Sequence, residues 1–500
     1  MEYIIGTDVG TTSTKSVLYD KKGQVIKYSN IDYPLLHTAP DAAEENPADI
    51  LHAVEQTIKD VTKSIDSNDL IGISFSAAMH SLLFLDDKYH PLSNVYTWAD
   101  NRAAKYLDDI KDKPLAKEIY QKTGTPIHPM SPLMKLIWLS KDNPGLVTKA
   151  SWIVGIKEYI IYKLTGKLKT DYSMANATGF FNLHTFTWDK NILSLTKVEM
   201  KQLPGLIDTT AIVGNLTTEE ARRLNLNTSV NVTMGASDGA LSNIGVGAYK
   251  PGVAAITIGT SGAVRVVVNK PYLDPAGKLF CYYVAKNKWI IGGPVNNGGQ
   301  IYQWVRDKIY SSEDRKISYD NLNQEVGQVP VGSHGLITLP YFSGERAPIW
   351  QAQAKGSLIG LNTNHTRADI AHSALEGIAL NINEVLKLTN QAFSIKEIRA
   401  TGGFTQSPIN RQLLADVTGL PITFPDNFES SCLAAAVFGL KANHKISDIN
   451  EIKNMIGTTS RIIPNENNHK KYLKIQKIYG DLNRRLISAY KMLDDLQNSI

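Results

Sequence analysis

The chain predicts an α/β protein of two lobes. Two strand–turn–strand units carry that expectation: residues 2–20 (EYIIGTDVGTTSTKSVLYD) and residues 253–268 (VAAITIGTSGAVRVVV). Each pairs two apolar runs across a turn of Gly, Thr and Ser, which suggests a duplicated domain. The third observation is length, because 500 residues exceed what a single hydrophobic core usually organises. A boundary near residue 245 then gives domains 1–245 and 246–500, with the two turns facing each other across a cleft. A chance match of two short turns is the alternative.

The remaining elements follow in order. Asn46-Pro47 reads as a helix start, with Asn as N-cap and Pro at the first helical position. Leu51, Val54, Ile58 and Val61 then recur at helical spacing. Residues 69–76 (DLIGISFS) and 230–236 (VNVTMGA) read as buried strands, the second ending at Ser237-Asp238-Gly239. Two long helices are expected in the second half. One places Ile370, Ala374, Leu375, Ile378, Ile382 and Leu386 on a single face. The other does so with Tyr472, Ile475, Tyr479, Leu482, Leu486, Tyr490 and Leu493.

Composition excludes several classes. Hydrophobic content of 43% and charged content of 20% suit a soluble globular protein. The net charge of +5 is spread out and no block of five like charges occurs, so no nucleic-acid partner is expected. Cys281 and Cys432 are too few for a disulfide framework and lie in apolar surroundings. No secretory signal or run of about 18 apolar residues is present, so neither a membrane partner nor a membrane span is expected, and a reducing cytoplasm is the expected location.

The first turn offers Asp8, Gly10, Thr11, Thr12, Ser13 and Lys15 within eight residues. Consecutive N–H groups and hydroxyls in a turn form a concavity for phosphate. Asp8 would add charge for a phosphate-bound Mg²⁺, which prefers oxygen ligands. An ordinary hairpin is the alternative. Further Gly-rich turns at Gly259-Thr260, Gly292 to Gly299 and Gly402-Gly403 strengthen the nucleotide reading, because glycine lets a ligand approach the backbone. No G-x-x-x-x-G-K-[ST] motif or protein-kinase motif occurs.

Phosphoryl transfer to a hydroxyl needs positioning, charge neutralisation and a base. Asp238, at a strand end between small neighbours, is the candidate base, and a helix-capping Asp is an equally good use of it. Polar clusters in the first half suit a polyol: Met79-His80, the segment WADNR with Asp100 and Arg102, His128 and Met130 in GTPIHPM, and Lys157. Singly, each also suits a packing or surface role.

DVGTTSTK, Asp238 after its strand, TIGTSG, PYFSGERAP and TGGFTQSPINRQLLAD together resemble the FGGY carbohydrate kinases. Residues 356–376 look like the family's C-terminal signature, and 130–138, with Lys135, like its N-terminal one. The resemblance spans nearly the whole chain. It implies a two-domain actin-like (ribonuclease H-like) ATPase fold with a central cleft where sugar meets ATP and Mg²⁺. It implies that Asp238 is the catalytic base. It carries ATP contacts to Thr11, Thr12, Ser13, Lys15, Gly259, Thr260, Gly299, Gln303, Gly403 and Ser407. It carries sugar contacts to Met79, His80, Asp238, Asp100 and Met130, with Asp8 near Mg²⁺ through water. A dimer is the usual family expectation.

Within the family, SFSAAMHS, TWADNR, KTGTPIHPMSP, VGIKEYI and IGGPVNNGG resemble the gluconate-phosphorylating subgroup more than xylulokinase. That implies D-gluconate as acceptor, with Lys157 and Arg102 as candidate partners of its carboxylate. Xylulokinase is the first rival, and a non-catalytic actin-like module the remote one. One departure is the segment from Glu429 to Ala436 (ESSCLAAA), where the family usually carries more glycine. Its extra methyl groups bear on packing beside the adenine.

Overall fold

The computed structural model describes residues 1–499 apart from 112, 312–315, 426–428 and 458, with the side chains of 498 and 499 also outside the description. Two main sheets organise it. The first holds β1 (Tyr3–Val9), β2 (Ser13–Asp20), β3 (Val25–Asp32), β4 (Leu70–Ala77), β5 (Ile212–Asn215) and β6 (Asn231–Ser237), in the order β5-β6-β4-β1-β2-β3. The second holds β7 (Val253–Ile258), β8 (Gly262–Val268), β9 (Phe280–Ala285), β10 (Lys288–Val295), β11 (Glu397–Thr401), β12 (Ile422–Pro425) and β13 (Thr459–Ile462). Its order is β9-β10-β8-β7-β11-β12-β13.

The two sheets share one plan. In each, an antiparallel hairpin (β1–β2, β7–β8) extends to a further antiparallel strand on one side. On the other side lie two parallel strands and then an antiparallel edge strand. Six strands of one sheet therefore have counterparts in the other, the topological trace of the repeated turn.

Local chemistry explains the elements. Asn46 accepts from Ala48 N at 2.9 Å and starts the helix Pro47–Thr62. Thr366 and Asp369 form a reciprocal cap on the helix Arg367–Ala392, where Ala374, Leu375, Ile378, Ile382 and Leu386 are buried. The last helix, Glu466–Ser499, buries Tyr472, Tyr479 and Tyr490, while Leu493 on the expected apolar face is 43% exposed. Both cysteines are free and buried. Among the described residues, no helix is long and apolar enough to cross a membrane.

The chain does not separate cleanly in space at residue 245. Helix Ser430–Ala442, from the second half, lies on the first sheet. A Cβ at Gly6 of β1 would sit 1.9 Å from the Cys432 carbonyl oxygen, and one at Gly245 would sit 1.9 Å from that of Ser430. Only glycine permits such approach. The small residues of ESSCLAAA thus serve helix-on-sheet packing. They share an apolar layer with Ile4, Val17, Leu241 and Ile244 on one side and Val267, Phe280 and Tyr282 on the other. This layer joins the lobes beneath the cleft.

Candidate active site

Two turns meet over the cleft. In the first, Gly10 N donates to Ser13 O at 2.9 Å, and the Tyr33 hydroxyl donates to Gly10 O at 2.6 Å. In the second, Gly259 N donates to Ser261 O at 2.9 Å. The helix Gly299–Val305 is docked on that turn, because Gly298 N donates to Thr260 O at 3.0 Å and Gly299 N to Gly259 O at 2.7 Å. A Cβ at Gly298 would lie 2.6 Å from Ser261 O, so glycine is required there.

A cavity of about 320 Å³ lies between the turns, lined by Thr11 from one and Gly259, Thr260, Ser261 and Gly262 from the other. Met79, His80, Met130 and Asp238 also line it, together with Trp98, Arg265, Phe280, Tyr282 and Arg346. A second cavity of about 690 Å³ shares Gly259 and Thr260 and extends past Gly299, Gln303, Gly403 and Ser407. The smaller cavity matches a sugar in size, and the larger one a nucleotide. Gly259 and Thr260 line both cavities.

Asp238 opens the helix Asp238–Gly245 directly after β6, and its Oδ1 accepts from Gly239 N at 2.7 Å. Burial pushes its carboxyl above the usual range, opposed by the Arg265 guanidinium and backbone N–H groups. Ser237 is the N-cap, so Asp238 opens the helix without capping it, and its carboxyl lines the cavity. A Cβ at Gly239 would meet Met79 Cε at 2.7 Å and Arg265 Nε at 3.2 Å, so the small neighbour keeps room for both.

Asp8 accepts from Ser76 Oγ at 2.5 Å. Burial, with smaller contributions from Asp238 and Glu429, raises its carboxyl to about 6. Lys15, opposite Asp8 in register, instead pairs with Glu429 at 3.0 Å and ties the first hairpin to the helix that crosses over. Thr11 Oγ1 accepts from Trp98 Nε1 at 2.9 Å. Thr12 is exposed at the turn tip and Ser13 is half-buried.

His80 is a hydrogen-bonded histidine in the packing role its position also suits. Its Nδ1 pairs with Ala177 O at 2.8 Å, and burial lowers its pKa to about 3. A neutral ring at the cavity wall can hydrogen-bond a hydroxyl without adding charge. Lys135 is fully buried and donates to His80 O at 3.3 Å and to Met130 O. Burial lowers it to about 7, and it braces the two loops that carry sugar-side residues.

The two expected carboxylate partners lie elsewhere. Lys157 is fully buried and pairs with Asp171 at 2.7 Å. Arg102 pairs with Asp100 at 2.6 Å and with Glu44, and stacks over Trp138 at 4.8 Å. Asp100, fully buried, also accepts from Ala43 N at 3.1 Å. None of these three lines the sugar cavity. Sequence spacing shows a charge but not its partner, and each of these charges is already neutralised inside the first lobe.

The cations that do line the cavity were missed. Arg346 sits inside the quoted PYFSGERAP, stacks over Trp98 at 5.3 Å, and donates through Nε to Asn296 at 2.6 Å. Arg265 carries no motif. Its available signal is a lone charge inside the apolar strand GAVRVVV.

Comparison with known proteins agrees with this geometry. Residues 3–245 match the N-terminal domain, and residues 254–442 the C-terminal domain, of the FGGY family of carbohydrate kinases. The chain belongs to the FGGY family of carbohydrate kinases. This FGGY kinase is 40% identical to a gluconokinase of Bacillus licheniformis over 506 residues, covering 100% of this chain and 99% of the relative. A xylulose kinase of Staphylococcus xylosus is 28% identical, covering 96% of this chain and 99% of the relative. Among solved structures, a gluconate kinase from Lactobacillus acidophilus matches with TM-score 0.94 and 38% identity, over 98% of this chain and 99% of that one. A ligand-bound xylulose kinase from the same organism matches with TM-score 0.95 and 38% identity, over 99% and 100%. The fold is the two-domain α/β architecture of these kinases, and the chain is a carbohydrate kinase that uses ATP as phosphoryl donor.

Proposed function

We propose that this FGGY kinase transfers the γ-phosphoryl group of ATP to the terminal hydroxyl of D-gluconate, giving 6-phosphogluconate and ADP. One observation carries the chemistry: Asp238 lines a sugar-sized cavity that shares the Gly259–Thr260 turn with a nucleotide-sized one. The choice of acceptor rests on the gluconokinases, 40% and 39% identical over the full chain, against curated xylulose kinases at 26–30%.

Asp238 takes the proton of the acceptor hydroxyl as its oxygen attacks the γ-phosphorus, and the bond to the β-phosphate oxygen breaks. Burial raises its pKa and makes it a stronger base than an exposed carboxylate, while the Arg265 guanidinium opposes that rise. The turns at 10–13 and 259–262 supply N–H groups and hydroxyls for the phosphates. Ser407 Oγ and Asn410 Oδ1, buried without partners beside the larger cavity, are polar atoms a nucleoside can satisfy.

Mg²⁺ fits this site through Asp8. Among the described residues no group of three or more His, Cys, Asp or Glu could hold a metal ion. Mg²⁺ commonly keeps several waters and takes few protein ligands beside substrate phosphates. A buried carboxylate held at about 6 is relieved by a nearby cation. Bound there, the ion would neutralise charge on the phosphates, and Asp8 would hold it through water.

The test is ADP release by the purified chain with gluconate, xylulose, ribulose and glycerol. Gluconate should give the highest kcat/KM. Preference for a neutral ketose overturns the acceptor, and the L. acidophilus xylulose kinase structure makes xylulose the second reading.

A further inference from the structure

Arg265 has more hydrogen-bonding capacity than the protein around it uses. It projects from β8 into the sugar cavity, next to Gly239 and Met79. Its Nε is buried without a hydrogen-bond partner. Among the described residues its guanidinium enters no salt bridge, and Asp238 is the one charge that acts on it favourably. Leaving such donors buried and unpaired costs stability, so a group that satisfies them is expected in the working state.

The other cation of the cavity is already engaged. Arg346 donates to Asn296 and, at 3.2 Å, to Val295 O, and its plane stacks on Trp98. The charged residues lining the cavity are thus Arg265, Arg346 and Asp238, with His80 neutral. Glu345 offsets Arg346 from behind the cavity wall, so Arg265 is the lining cation with a spare donor. A neutral polyol brings it no countercharge, whereas a monocarboxylate does and suits the planar fork of a guanidinium.

We propose that Arg265 pairs with the carboxylate of the acceptor and is the residue that makes this cavity prefer a sugar acid over a neutral polyol. This rests on the gluconate reading above and names the residue that reading lacks. Asp238 and Arg265 then divide the cavity floor, the first facing the reacting hydroxyl and the second the acid end.

The test compares D-gluconate with D-glucitol, which keeps the six-carbon hydroxyl chain and lacks the carboxylate, in the full-length enzyme and in Arg265→Gln and Arg265→Lys. Removing a charge-assisted pair should raise KM for gluconate by roughly 10- to 100-fold. Because Arg265 also acts on Asp238, some loss of activity with both acceptors is expected, but the ratio of kcat/KM for gluconate to that for glucitol should collapse, and Arg265→Lys should recover part of that ratio. A second readout is the rise in melting temperature that gluconate gives without ATP, which Arg265→Gln should lose. An equal fall of kcat on both acceptors with KM for gluconate unchanged would assign Arg265 to the base or the phosphates, and overturn the proposal. If the wild type prefers gluconate and Arg265→Gln keeps that preference, only the Arg265 assignment falls. If the wild type prefers a neutral ketose, the gluconate reading falls with it.

Discussion

Replacing Asp238 with Asn should remove the proposed proton acceptor and the one charge that acts favourably on Arg265. The side chain keeps its shape, and an amide oxygen can still accept from Gly239 N, a bond of 2.7 Å in the native chain. A positioned base contributes roughly 10²- to 10⁴-fold to a rate. At about 1.36 kcal/mol per tenfold, that is a barrier increase of about 3–5 kcal/mol. Because Asp238 lines the sugar cavity and not the nucleotide-side one, the KM for ATP should hold. Stability should move the other way. Burial lifts the folded-state pKa above the ordinary 3.8, so the folded chain holds this proton to higher pH than the unfolded chain does. That makes stability fall as pH rises above about 3.8, with the full penalty present above the folded pKa. At neutral pH the uncharged Asn removes the penalty, and the melting temperature should be equal or higher. A coupled ADP-release assay and a thermal melt measure both quantities. More than about a tenth of wild-type kcat, in a variant that melts normally, would refute Asp238 as the base.

Other perturbations separate chemistry from scaffold. The acid limb of kcat/KM should lie above the ordinary carboxylate range, because Asp238 must lose its proton, and Arg265→Gln should move it higher still; a limb at or below pH 4 counts against the assignment. Lys157→Met should leave Asp171 buried without its partner and cost about 3–5 kcal/mol in chemical denaturation. Gluconate KM in the surviving fold should stay near wild type, against the role its sequence position suggests. Gly6→Ala should destabilise by about 1–3 kcal/mol or more, since its Cβ would be driven into the Cys432 carbonyl, and a thermal melt reads this directly. Gly403→Val should fold normally, because nothing lies within 4 Å of a Cβ there, yet raise KM for ATP by filling the nucleotide cavity.

Much of the site was legible because its residues sit on local patterns. Turn chemistry marked both hairpins, and the small neighbours of Asp238 marked a strand end open to a ligand. The structure brings Thr11, Met79, His80, Met130 and Asp238 to one cavity. Gly259 and Thr260 join it to the wall holding Gly299, Gln303, Gly403 and Ser407. Charges on regular elements were not legible in this way. Lys15, Arg102 and Lys157 look available in the sequence and are each paired with a carboxylate in the fold. Arg265 looks like an oddity in an apolar strand and is a cavity-lining guanidinium whose Nε has no hydrogen-bond partner among the described residues.

Hydrophobic periodicity, caps and turn residues act over a few positions, so the chain alone determined its strands, long helices and repeated hairpin, while its ordered motifs carried the family resemblance. Which charges meet is set by contacts between residues hundreds of positions apart. Lys15 finds Glu429, and Gly6 receives the backbone of Cys432, only after helix Ser430–Ala442 has crossed to the first sheet. Tertiary structure therefore decided which cations were already neutralised and which faced the substrate, because a buried charge is defined by its neighbours in space.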